Sequence, residues 1–151
     1  MITGFQHLHS VNRYILLALL LIVIISSFQK WKGNKEYTKQ DDKLNLITFI
    51  ITHLQLLIGM ILYYSSYVNN GLVQFNGDTM ANKIIRFFTV EHFLGMLIAI
   101  ALITVARIKG KKIVEGVKRH KMTFWYYLIA LIIIFASIPW PFRNVGVMEW
   151  F

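Results

Sequence analysis

Three histidines of this 151-residue chain stand inside long apolar runs, at positions 9, 53 and 92. His92 follows Glu91 directly in "FTVEHFLGM", a stretch otherwise almost without polar groups. Ionisable groups in such segments are costly, usually face the interior of a helix bundle and mark function. Two neutral imidazoles on facing helices have a specific chemical use. They can fill both axial positions of the iron in a planar macrocycle, the six-coordinate arrangement of a b-type haem, and bundle cores are where such groups sit. No cysteine is present, so disulfides, thiolate chemistry and iron–sulfur clusters are excluded.

The elements that must carry these residues follow from composition. Hydrophobic residues make up 56% of the chain, more than a soluble domain of this size needs. They fall into four runs of about 20 residues, the length of a helix that crosses roughly 30 Å of hydrocarbon. The spans are about 8–28, 44–64, 84–106 and 123–138. The last is stopped by "PWP", because proline cannot continue a helix. The expected fold is all-α: a single four-helix integral membrane bundle over 1–151. The first run lacks a basic flank and a small-residue cleavage site, so it reads as a retained helix. The stretch 65–83 carries Gly and Asn turn signals and is expected to form a short external cap.

The net charge of +9 does not point to nucleic acid, because the cations sort by loop. Twelve lie in 30–43 and 107–121, and four lie at the termini and in the middle connection. This positive-inside asymmetry places both termini on the exterior or periplasmic side and the two basic loops in the cytoplasm. The expected location is a bacterial plasma membrane, crossed several times. Trp31, Tyr37 and Trp125 to Tyr127 mark one interface, and Tyr63, Tyr64, Tyr67, Trp140 and Trp150 the other. His120 falls in a basic loop and is expected to be solvated.

Helical geometry ranks the candidate ligands. His7 and His9 are two residues apart and point roughly 200° apart, so they do not share one partner. His9 shares a face with Asn12 and Arg13. At about 1.5 Å per residue, His53, His92 and His9 lie roughly 15, 22 and 30 Å above the cytoplasmic ends of their helices. His92 is therefore the common member of two pairs, His9 with His92 or His53 with His92. Gly59 and Gly95 suit a macrocycle sliding between helices, or equally close helix packing. Arg13, Arg86 and Arg143 lie toward the outer surface, where arginine suits the carboxylates of a haem. Glu91 has three readings: a protonated hydrogen-bonding acid, part of a proton or quinol path, or an orienter of a histidine on another helix. The last run holds no polar group except Ser137 and reads as structural.

The order "HLHSVNRYILLALLLIVI", "HLQLLIGMILYYSS", "EHFLGMLIAIALI" resembles a half-domain of haem A synthase. The chain is also similar to small four-helix bacterial membrane proteins of the cytochrome b-like type, over most of its length and including "SIPWPFR". The resemblance implies haem ligands at His9 and His92, near the outer ends of two helices. Gln55 and Gly59 match the family's Gln-x-x-x-Gly helix. The chain departs from haem A synthase in having one half rather than two, in placing Arg13 four residues after His9, and in lacking an acid near His9. The expected protein is a membrane haem b carrier. It would move single electrons near the outer face, with quinol or within a respiratory assembly, in the lipid bilayer and compatible with a homodimer. His9 and His92 are the axial pair, with His53 as the alternative to His9, and no catalytic residue is assigned. Two other readings stand beside it: a haem-free accessory or assembly subunit, and a small proton-coupled carrier using Glu91, His92 and His53.

Overall fold

The computed structural model describes residues 2–143, and every regular element in that range is helical. Helix α1 spans Ile2–Lys32, α2 Lys39–Ser65, α3 Lys83–Arg86, α4 His92–Gly110 and α5 Gly116–Ser137. Single π-helical turns follow α2, over Ser66–Asn70, and join α3 to α4, over Phe87–Glu91. Four stretches are helical, long and apolar enough to cross a membrane: Thr3–Lys32, Lys39–Asn69, Lys83–Gly110 and Gly116–Ser137. The first three contain the expected spans and extend them at both ends, and the fourth starts earlier than expected and ends one residue short of 138.

Local chemistry sets the helix ends. Helix α1 stops where Asn34 takes a left-handed conformation, with φ 49°. Lys35 N–H then donates to Lys30 O at 2.9 Å and Asn34 N–H to Trp31 O at 3.3 Å. This closing pattern, with Asn in the glycine position, satisfies carbonyls that the helix leaves open. Helix α2 begins with a capping box between Thr38 and Asp41. Helix α5 ends before Pro139 and Pro141, whose rings forbid further helix.

The helices form a ring in the order α1, α2, α4, α5, with α4 against α5, α5 against α1 and α1 against α2 as the extensive contacts. The apolar core lies between α1, α4 and α5, around Leu20, Ile103, Tyr127 and Ile138. Helix α2 is built the other way round. Its buried residues are Asp41, Asn45, Thr48, Thr52 and Ile58, while Ile50, Leu54, Leu57 and Ile61 are exposed. Thr48 and Thr52 donate to their own helix, to Leu44 O at 2.9 Å and Thr48 O at 2.7 Å. Polar faces turned inward and apolar faces turned outward suit hydrocarbon surroundings, where every polar group needs a partner inside the bundle.

The basic end is a buried electrostatic joint. Arg107, only 7% exposed, makes a bidentate pair with the Asp42 carboxylate at 2.8 and 3.1 Å and also donates to Asp42 O. Arg119 donates to the same carboxylate at 2.6 Å and lies over the Tyr37 ring. Lys30 pairs with Asp41 at 2.5 Å. Burial pushes the Tyr37 phenol up to about 12, so it stays neutral as an acceptor from Asn45. The chain at 36–37 crosses α5 so closely that a Cβ on Gly116 would lie 2.5 Å from Tyr37 N. That crossing also corrects the expectation for His120. It is not solvated but 1% exposed, covered by the Tyr37 ring at 4.9 Å, with Glu36 O 3.4 Å from its Nε2.

Candidate functional site

At the opposite end, α1, α2, α4 and α5 enclose a cavity of about 490 Å³, within the roughly 300–1,000 Å³ range of small-molecule and cofactor sites. His9, Arg13, Gly59 and His92 all line it, as do His7, Met96, Thr52 and Gln55. His7 and His9 therefore border the same space. Their directions differ as expected, but the cavity is wide enough to meet both, with His7 exposed at its edge. Among the described residues, no Asp or Glu lines the wall.

Helix α1 is held to α2 by the residues of the Gln-x-x-x-Gly pattern. Gln55 Nε2 donates to His9 O at 3.0 Å, and Asn12 Nδ2 donates to Gln55 Oε1 at 2.7 Å and Ile51 O at 3.3 Å. Gly59 sits under the His9 ring, where a Cβ would come within 3.3 Å of His9 Cε1. Both pattern residues thus serve His9, one fixing its backbone and the other leaving room for its ring. Replacing Gln55 with leucine keeps the bulk and leaves the His9 carbonyl and the Asn12 amide without this bridge. We expect a loss of about 2 kcal/mol in stability, read by unfolding in detergent. Unchanged stability would show that the bridge does not hold the helices.

His92 is fixed differently. Its Nδ1 lies 2.7 Å from Ser137 O. A carbonyl only accepts, so Nδ1 carries the proton and Nε2 of the neutral ring keeps its lone pair. The carbonyl is available because the residue four positions on, Pro141, has no N–H to donate. Gly95 permits the approach. A Cβ there would lie 2.0 Å from Ser137 Oγ, and Gly95 does not line the cavity, so it acts as a helix-packing contact between α4 and α5. Helix α5 is not merely structural, since its C-terminal carbonyl orients His92, as outer partners orient metal-binding histidines.

The other candidates are placed elsewhere. His53 does not line the cavity. Its Nδ1 donates to Phe49 O at 2.8 Å, its Nε2 lies 3.5 Å from Thr104 Oγ1, and its ring stacks on Phe49 at 4.0 Å. Glu91, expected inside the bundle, is instead exposed and pairs with Arg86 at 2.9 Å. Adjacent side chains on a helix point about 100° apart, so with His92 on the cavity Glu91 is turned outward, at the end of the π-helical turn Phe87–Glu91. Arg86 is thereby engaged by Glu91 and by Met80 O and does not line the cavity. Arg13 does, at 8% exposure, with its guanidinium over the Tyr14 and Trp140 rings. The side chain of Arg143, and Trp150, lie outside the described residues.

The expected cap is present. Leu72 and Val73 border the cavity, and Val73 is 2% exposed. Tyr63 donates to Thr89 O at 2.9 Å, and Gln74 N–H donates to Thr89 Oγ1 at 3.1 Å, tying the cap to the start of the third spanning helix. The turn signals of 65–83 predict the cap, but nothing in the sequence marks Thr89 as its anchor.

The residues fit a bis-imidazole group. His9 Nδ1 is buried against α2 near Gly59 with no hydrogen-bond partner among the described residues, a state that costs about 1–3 kcal/mol. Both nitrogens of His53 have protein neighbours, as set out above. No group of three or more His, Cys, Asp or Glu able to hold a metal ion occurs among the described residues, so the donor set is limited to pairs. No family model, curated protein or solved structure matches this chain.

Proposed function

We propose that this chain is a membrane-spanning b-type haem protein, with both termini outside and its basic loops in the cytoplasm. His9 and His92 hold the iron, and the protein passes single electrons near the outer face, to or from quinol or a respiratory partner. The observation that carries this reading is the pairing in one cavity of two differently prepared imidazoles. His92 has its tautomer set by Ser137 O, and His9 lines the same cavity with its carbonyl held by Gln55 and its ring beside Gly59. A bound haem would supply a one-electron ferric/ferrous couple. The chain's own residues do the rest. Arg13 offers a guanidinium to a carboxylate, the Gln55 bridge keeps His9 in place, and the apolar wall with its cap restricts water. The exposed Glu91–Arg86 pair leaves the proton-carrier reading without its acid in the cavity.

Haemin titration of the purified chain in detergent tests this. Saturable binding at one haemin per chain is expected, with loss of binding in a His9→Ala, His92→Ala double variant. Absence of saturable binding, or equal binding by the double variant, would overturn it.

A further inference from the structure

The opposite end of the bundle carries a second arrangement, independent of the haem reading. Four of the twelve cations there are committed to acids. Lys30 pairs with Asp41, Arg107 and Arg119 pair with Asp42, and Lys118 pairs with Glu115. Lys32 and Lys121 form no ion pair with a described residue, and both are exposed. They come from different helices, the last turn of α1 and the second turn of α5, yet converge on one ring. Their Nζ atoms lie 4.5 and 5.5 Å from the Trp31 indole centroid.

Beneath them is an aromatic floor. Trp31 and Phe28 pack on Phe124 with centroids 5.8 and 5.2 Å apart, and Trp125, 47% exposed, continues it at 5.2 Å from Phe124. Helix polarity does not account for the cations on α5. They gather near its N-terminus, the positive end of the helix dipole, where the N-cap Glu115 pairs with Lys118 and leaves Lys121 without an acid among the described residues. An anion between α1 and α5 would offset that repulsion. At the boundary of a bilayer, such an anion sits above apolar chains that need an apolar floor. Indole and phenyl rings with flanking lysines meet both needs.

We propose that Lys32 and Lys121, over Trp31 and Phe124, bind the phosphodiester headgroup of an anionic phospholipid, with its glycerol and upper acyl chain against the aromatic floor. Each lysine contributes by charge at the surface, so losing both should weaken retention about thirty-fold.

The test is native mass spectrometry of the full chain in detergent, with phosphatidylglycerol competing against phosphatidylcholine of the same acyl chains. The wild type should retain one phosphatidylglycerol in preference. Lys32→Gln with Lys121→Gln should lose that preference. Lys32→Arg with Lys121→Arg should keep it. Lys111→Gln with Lys112→Gln, which removes the same charge from exposed residues away from Trp31, should stay within about twofold of wild type. Equal weakening in both glutamine pairs would mean diffuse attraction and overturn the site. So would unchanged retention in Lys32→Gln, Lys121→Gln. Displacement of the lipid by inorganic phosphate at matched concentration would assign the site to a free anion and overturn the lipid proposal.

Discussion

Replacing His92 with alanine is expected to abolish six-coordination in protein produced with ample haem, and to reduce bound haem at least tenfold. The size follows from how the residue is held. His92 reaches the cavity with one ring nitrogen already committed to Ser137 O, so its other nitrogen is presented in a single tautomer. Besides His92 and His9, the cavity meets only His7, which is exposed at its edge, among the described histidines. His53 has both nitrogens against Phe49 and Thr104 and lies outside the cavity wall. His53→Ala is therefore expected to leave the absorption spectrum unchanged. His9→Ala should behave like His92→Ala. A His92→Ala protein with an unaltered haem spectrum would remove the axial assignment, and a His53→Ala protein that lost its haem would transfer it to α2.

Asp42→Ala is expected to destabilise the bundle by about 3 kcal/mol. Asp42 itself is 40% exposed, but its partner Arg107 is 7% exposed and donates to both carboxylate oxygens. Stripping the acid leaves a buried guanidinium without that partner, the case in which breaking an ion pair is strongly destabilising. It also leaves Arg119 beside Arg107 with no shared anion. The Lys118–Glu115 pair supplies the control. Both its members are well exposed, at 72% and 53%, and Glu115→Ala should change stability by less than about 1 kcal/mol. Unfolding of both variants in the same detergent makes the comparison. Equal effects would mean that the basic end is not held by the Asp42 joint.

The four long apolar helices were legible because their runs match the length a bilayer would require. His9 and His92 were legible as the inward pair because histidine in an apolar run is rare and helical depth is countable. Gln55 and Gly59 were legible as a pattern, but not in their role, since neither the bond to His9 O nor the space under its ring has a sequence signal. Glu91 was misplaced because it was read as inward together with His92, although neighbouring helical side chains diverge by about 100°, and no sequence signal marks its pairing with Arg86 outside. His120 was misplaced because its loop reads as basic and open, whereas residues 36–37 fold across Gly116 and bury it. Ser137 was visible only as a hydroxyl. Its useful atom is the backbone carbonyl that Pro141 leaves without a donor, and that consequence depends on α4 packing beside it at Gly95.

The most direct test of the central claim is the absorption spectrum of the purified full-length protein, oxidised and then reduced with dithionite, with haem quantified as its pyridine complex. A shifted Soret band on reduction, sharp α and β bands, and one haem per chain are the predicted result of two imidazoles on one iron between α1 and α4. A colourless protein from haem-supplied cells, or a five-coordinate high-spin spectrum, would contradict it.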